Sequence, residues 1–336
     1  MRIRRRTRIT IGVVVIILLL LAVAVYLRKK APPEAARLLP ESDGIVYLNL
    51  RPIRTFTHFD QHPVAHDPDY QNFIDATGIQ FERDLDEAAF ALHRMSNPAG
   101  PNGSVAFSEV FVGHFDGRRL ISYLEGISTS QEVYAGHTIY SVPSDGRTVR
   151  VTLLGYDMVA VSNTPTAEQI HSMLDRYRSA ALPFSGSSLL TDHYEEVPLL
   201  SLAWGIGQIG LPFGDSGDVS VLGFRLPIHF DSTFIASVRW TGALRLRVEE
   251  LAPTEEAATA SAESVELLLN FARNAENVAP GITGAELKPL LDSIQIEHHR
   301  DRAVLHATLP PQLLERLLTP PEKLQQQLPL PPGGSK

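Results

Sequence analysis

The hydrophobic pattern divides the chain into one long uncharged run and a body of short segments. Residues 9–27 (ITIGVVVIILLLLAVAVYL) carry no charge. As a helix rising ~1.5 Å per residue they would span about 28 Å, close to the hydrocarbon core of a bilayer. Beyond them, β-branched and alternating apolar positions predict strands at 45–50, 109–115, 138–142, 149–154, 158–161, 199–204, 234–240, 243–251, 294–298 and 303–307. The first of these stops at Pro52, and the last two form a hairpin around Arg300 and Asp301. Apolar spacings of three and four predict helices. One opens at Thr164 and Pro165 and aligns Ile170, Met173, Leu174 and Tyr177 on one face. The longest begins at Thr254, sets Glu255 and Glu256 against its dipole, and buries Ala258, Ala262, Val265, Leu269 and Ala272. Asp84 or Asp86 is expected to cap another, which buries Leu85, Ala88, Ala89 and Leu92. Short helices are expected at 120–124 and 313–318, and a polar loop at 55–72.

The expected fold class is therefore α+β: an N-terminal transmembrane helix, then two similar α+β units with mostly antiparallel sheets. A shift of 145 residues lays Val149, Val151, Val159 and Pro165 on Ile294, Ile296, Val304 and Pro310. Both stretches read strand, hairpin, strand, proline, helix, which suggests duplication. The expected organisation is a basic tail (1–8), a transmembrane helix (9–27), a linker (28–40), two α+β units (41–190 and 191–318) and a Pro-rich disordered tail (319–336).

Charge adds location to this picture. The net charge is −8, but the first 30 residues hold eight basic groups and no acid. Removing them leaves 22 basic residues against 38 acidic, a body at −16. Five arginines precede the apolar run, which predicts a cytoplasmic N-terminus and an extracytoplasmic body. Ala22-Val23-Ala24 resembles a signal-peptide cleavage site, but the apolar core is longer than a signal peptide needs and continues past it. An uncleaved anchor in a bacterial inner membrane is the expectation, with the lipid bilayer as its first partner through residues 9–27. The acidic body disfavours nucleic acid. The absence of cysteine excludes disulfide scaffolds, Cys-ligated zinc and thiol nucleophiles.

The chemical motifs are weak. Gly205, Gly207 and Gly210 match the spacing of a dinucleotide loop, but Leu211, Pro212 and Phe213 follow where a helix would have to start. Gly214-Asp215-Ser216-Gly217 resembles the nucleophile loop of chymotrypsin-like serine proteases, with His66 and Asp116 in the matching chain order. Asp218 stands where that family has a second glycine, and the expected helices do not suit an all-β double barrel. His58, His62 and His66 recur every four residues, but Pro63 interrupts any helix joining them. No cofactor-binding or metal-binding residue is assigned. The catalytic alternative is Ser216, His66 and Asp116.

The run from Ala36-Arg37-Leu38-Leu39-Pro40 to Ile45-Val46-Tyr47-Leu48-Asn49-Leu50 follows directly on the anchor. With the later strand, Ala-rich helix, Leu-Lys-Pro-Leu-Leu and hairpin, it resembles bacterial membrane-anchored proteins of unknown function with α+β ectodomains. That layout implies an extracytoplasmic body and no catalytic residue. The expected role is non-enzymatic binding or scaffolding of an envelope protein. An anchored hydrolase using Ser216 and an accessory subunit of a membrane complex are the alternatives.

Overall fold

A computed structural model of the chain describes residues 31–58, 60, 66–100, 103–179, 186–208, 219–221, 224–226, 231–274 and 284–309. The span at 9–27, Ser216 and the helix expected at 313–318 lie outside them. Among the described residues no helix is long and apolar enough to cross a membrane.

The fold is mixed α+β with a large antiparallel sheet. In chain order the elements are α1 (Glu34–Leu38), β1 (Gly44–Asn49), α2 (Leu50–Thr57), α3 (Pro68–Thr77), α4 (Phe81–Asp84), β2 (Leu85–Arg94) and β3 (Val105–Gly113). Next come α5 (Gly117–Ile127), β4 (Ser130–Tyr134), β5 (His137–Ser144), β6 (Arg147–Leu154), β7 (Met158–Ser162), α6 (Glu168–Arg178) and α7 (Ser188–His193). The remainder is β8 (Ala203–Gln208), β9 (Val219–Val221), β10 (Phe224–Leu226), β11 (Thr233–Trp240), β12 (Leu244–Leu251), α8 (Glu255–Asn274), α9 (Gly284–Ser293), β13 (Gln295–His299) and β14 (Arg302–Leu309).

Twelve strands form one sheet in the order β13-β14-β12-β11-β8-β1-β2-β3-β7-β6-β5-β4. β9 and β10 pair with each other. Near the centre of the sheet, with five strands on one side and seven on the other, is the β1–β8 ladder, where Val46 faces Gly205 and Gly44 faces Gly207. Gly207 is needed there: a Cβ on it would stand 2.8 Å from the Gly44 Cα and 3.0 Å from the Asp43 carbonyl oxygen. Two of the three glycines with dinucleotide-loop spacing thus lie in strand β8, and Gly210 lies outside the described residues.

Residues directly opposed in neighbouring strands share a face, so the registers sort the core. On one face Ile45, Tyr47, Ala89, Ala91, Val110, Ala160, Trp204, Ile206 and Ile235 pack with the helical residues Leu38, Ile170, Met173 and Leu174. On the other, Tyr140 and Val159 pack with Ile79 and with Leu120 and Leu124 of α5. The predicted apolar face of the 164–178 helix is confirmed, since Ile170, Met173 and Leu174 are all buried. So is most of the stripe on α8, where Ala258, Ala262, Leu269 and Ala272 are buried.

Several local expectations are corrected. The helix expected over 86–92 is strand β2, whose neighbours are β1 and β3. Both its faces are largely buried, so its apolar positions do not alternate and imitate a helical stretch. The strand expected over 45–50 ends at Asn49, and Pro52 falls in the first turn of α2. The polar loop expected at 55–72 contains the end of α2 and the start of α3, where Asp67 caps the Tyr70 amide and Pro68 occupies the first turn. Thr164 does not cap α6, which begins at Glu168. The strand expected from residue 199 begins at Ala203.

Candidate functional site

The residues of the catalytic alternative have separate local duties. His66 sits with Nε2 3.1 Å from Glu82 Oε1 and Nδ1 3.4 Å from Gln71 Oε1. Asp116 caps α5, its Oδ1 accepting from the Arg118 and Arg119 amides at 3.1 and 3.2 Å. No bond joins the two among the described residues, and Ser216 lies outside them. His58 closes α2 in a left-handed conformation, and His62 lies outside the described residues.

The structure instead gathers charge where α2, α3 and α4 meet the start of β2. The Tyr70 hydroxyl donates to Glu82 Oε2 at 3.0 Å and accepts from the Phe81 amide at 2.7 Å. Arg54 donates to the Glu82 and Leu85 carbonyls and to Asp86 Oδ1. Arg51 Nη2 meets Asp86 Oδ2 at 2.6 Å, and His114 Nδ1 lies 3.6 Å from the same oxygen. A register shift between Leu85 and Glu87 frees Asp86 from the ladder and turns it toward these cations. Burial pushes Asp86 up, but Arg51, Arg54 and His114 outweigh it and hold the carboxyl below its usual range. Glu82 is lowered in the same way, burial being overcome by its own amide, Tyr70 and His66. The adjacent Glu87 moves the other way. Burial raises it against the hydrogen bond from Tyr47. Divergent neighbouring carboxyls are a feature of acid–base sites. Here, however, the ionised member is already ion-paired on both oxygens, so the array suits holding α2 and α4 on the sheet rather than proton transfer.

A second polar chain runs inside the sheet. His93 Nε2 is 2.9 Å from Ser108 Oγ, Ser108 is 3.3 Å from Ser162 Oγ, and Ser162 is 2.8 Å from Thr164 Oγ1, which donates to the Thr166 carbonyl at 3.0 Å. Burial lowers the His93 pKa. All four side chains are buried, which closes the chain to a substrate and leaves it a satisfied core network. On the opposite face of β3, burial raises Glu109 to about 7, and no hydrogen bond or ion pair meets its carboxyl among the described residues. A third cluster lies across β12 and β14. Glu249 Oε1 is 3.0 Å from Arg302 Nη1, Glu249 Oε2 is 2.6 Å from Arg247 Nη1, and Arg302 Nη2 reaches Glu196 Oε1 at 2.9 Å.

An open hollow of about 390 Å³ between α3 and α5 is lined by Ala76, Arg118, Arg119, Ser122 and Tyr123. Among the described residues no group of three or more His, Asp or Glu side chains is placed to hold a metal ion. Sequence reasoning missed the Asp86 array because it depends on a bulge, and the His93 chain because isolated Ser and His on strands carry no local signature.

No family model matches the chain, and no curated protein sequence matches it. Solved structures do resemble it. Crystal form III of TP0453 has a TM-score of 0.48 at 11% identity, covering 85% of this chain and 98% of that one. Crystal form I has a TM-score of 0.46 at 11% identity, covering 86% and 97%.

Proposed function

We propose that the chain is a single-pass bacterial inner-membrane protein whose extracytoplasmic α+β body binds or scaffolds another envelope component, without chemistry of its own. The observation that carries this reading is the junction between the uncharged run and the body. Only residues 28–33 separate residue 27 from α1, and Ala35, Ala36, Leu38 and Leu39 of the α1 segment are fully packed into the core. An anchor at 9–27 would therefore hold the body at the bilayer by about 20 Å of extended chain. The engagement of His66, Asp116 and Asp86 in local structure favours the non-enzymatic form.

We also read 41–190 and 191–318 as related units. In support, each begins with three neighbouring antiparallel strands, β1-β2-β3 and β8-β11-β12 (the second with β9 and β10 inserted after β8), and each has a hairpin whose last strand, β7 or β14, pairs with the third.

Membrane retention through an alkaline wash, with the body digested only by protease added from the extracytoplasmic side, is the expected result. Release by the wash would remove the anchor from the proposal. Purification in mild detergent should bring down a stoichiometric envelope protein; a membrane-spanning partner would make the chain an accessory subunit. Labelling of Ser216 by a fluorophosphonate would replace the scaffold by a hydrolase.

A further inference from the structure

We propose that the turn Leu199–Leu200 is a membrane-docking tip that inserts into the interface of an anionic phospholipid bilayer, with Arg239 and Arg245 binding the lipid phosphates. This rests on the anchored reading above.

The turn is apolar, exposed and strained together. Leu199 is 53% exposed and Leu200 87%. Leu200 also holds φ at +64°, a left-handed conformation that a branched side chain adopts at an energetic cost and that Gly or Asn adopts more easily. The turn is nevertheless rigid. Before it, the Val197 amide donates to the Tyr194 carbonyl at 3.0 Å and Val197 is buried. Across it, Ser201 Oγ donates to the Pro198 carbonyl at 2.6 Å. After it, the Leu202 amide donates to the Val238 carbonyl and the Leu202 carbonyl accepts from the Asn49 amide, both at 2.7 Å. A pinned pair of exposed leucines fits a soft apolar medium.

The surrounding charge selects the medium. Val238 is opposite Ala203, so Arg239 stands beside Leu202 at the base of the turn. Arg239 directly faces Arg245 on β12. Like charges directly opposed in a sheet repel, and neither arginine makes an ion pair among the described residues. A layer of phosphates would neutralise both while the leucines enter the acyl boundary. The body as a whole is acidic, so the Arg239–Arg245 pair is the local cationic element that such a surface attracts. The tether of residues 28–33 keeps the bilayer within reach, and a weak tip can then suffice because docking becomes intramolecular.

The test uses the full-length chain, which contains no cysteine. Leu200→Cys gives a single site at the tip, and Ser144→Cys gives one at the opposite end of the sheet, in the β5–β6 turn. Each is labelled with an environment-sensitive fluorophore and reconstituted in vesicles of equal parts phosphatidylcholine and phosphatidylglycerol. The expected result is a blue shift and quenching by spin-labelled lipid at position 200, neither at position 144. Both signals should be lost in pure phosphatidylcholine and in Arg239→Gln/Arg245→Gln. Identical signals at the two positions, in vesicles that keep the protein through an alkaline wash, overturn the docking proposal alone. A shift at position 200 that spin-labelled lipid does not quench means a protein contact and also overturns it. If the wash removes the protein, the anchored reading fails. Docking is then decided by adding excess vesicles to the released chain: quenching at position 200 supports it and its absence overturns it.

Discussion

The two halves of the sheet are covered differently. From β1 to β7, helices lie on both faces. α1 and α6 close the face carrying Ala89, Ala91 and Val110, and α5 closes the face carrying Tyr140 and Val159. From β8 to β14, α8 and α9 pack on β13 and β14, whose buried Ala303 and Ala307 share a face. The opposite face of β11, β12 and β14 joins the main core through Ile235 and Leu251 and otherwise carries mostly polar residues, Ser237, Arg239, Arg245, Arg247, Glu249, Arg302 and His306. The first half is a three-layer arrangement stabilised by apolar burial. The second combines a thinner apolar layer with an ion-paired one. Buried acids are paired in both halves, Asp86 of the first half by Arg51 and Arg54. Glu249 is held by Arg247 and Arg302, and Glu250 accepts from Ser232 at 2.8 Å, whereas Glu109 has no partner among the described residues.

The largest expected effect is a difference in cavity cost. Leu174 is fully buried between α6 and the sheet, while Leu269 on α8 keeps 7% of its surface. Leu174→Ala should destabilise by about 3–4 kcal/mol and Leu269→Ala by about 2 kcal/mol, because a thin layer relaxes into the space more readily. Urea unfolding of the full-length chain in detergent measures both. Equal losses would mean that the halves are packed alike.

A smaller, pH-dependent effect comes from Glu109. Its folded pKa of about 7 lies above its ordinary value of 4.5. Between those values the folded state keeps a proton that the unfolded chain has released, so stability falls as pH rises through the window and levels off above it. Glu109→Gln should remove this slope and, at alkaline pH, stabilise by about 2–3 kcal/mol. A wild-type slope that survives in the Gln variant would place its origin elsewhere. Glu249→Gln should give no comparable gain, since it breaks pairs with Arg247 and Arg302.

The same division explains how much the sequence revealed. In the second half, β11, β12 and the β13–β14 hairpin were readable because one face is apolar and the other polar, which produces alternation. In the first half, β2 was misread as a helix because Leu85, Ala88, Ala89 and Ala91 are buried on two faces. The α6 stripe was readable because its outer side is solvated. The Asp86 array was not, because a bulge and three separate elements bring Arg51, Arg54 and His114 to it. Nor was the 199–202 turn, whose apolar residues imitate the strand they precede.

The ladder between the halves gives the next prediction. Gly207→Ala would force a Cβ against Gly44 and Asp43 at the β1–β8 junction. The expected loss is about 1–3 kcal/mol, as for other overpacked sites. If the halves depend on this ladder for cooperativity, the variant should also separate one unfolding transition into two. A single, unshifted transition would show that the helices bridging the junction, rather than the ladder, unite the sheet.

The smallest effect has the opposite sign. Leu200→Gly relieves a left-handed leucine and removes an exposed apolar side chain. Relief of that conformation is worth about 1 kcal/mol, from which the greater freedom of glycine in the unfolded chain subtracts part. A rise in unfolding midpoint with unchanged denaturant slope is the expected reading. Among the variants described here it isolates the tip from the packing of either half, because Leu200 contributes almost nothing to either core. If Leu200→Gly were destabilising, the leucine would be earning its place through contacts within the fold. If it is stabilising, the strained side chain opposes folding in this half of the sheet, and its use has to be sought in what the turn touches outside the chain.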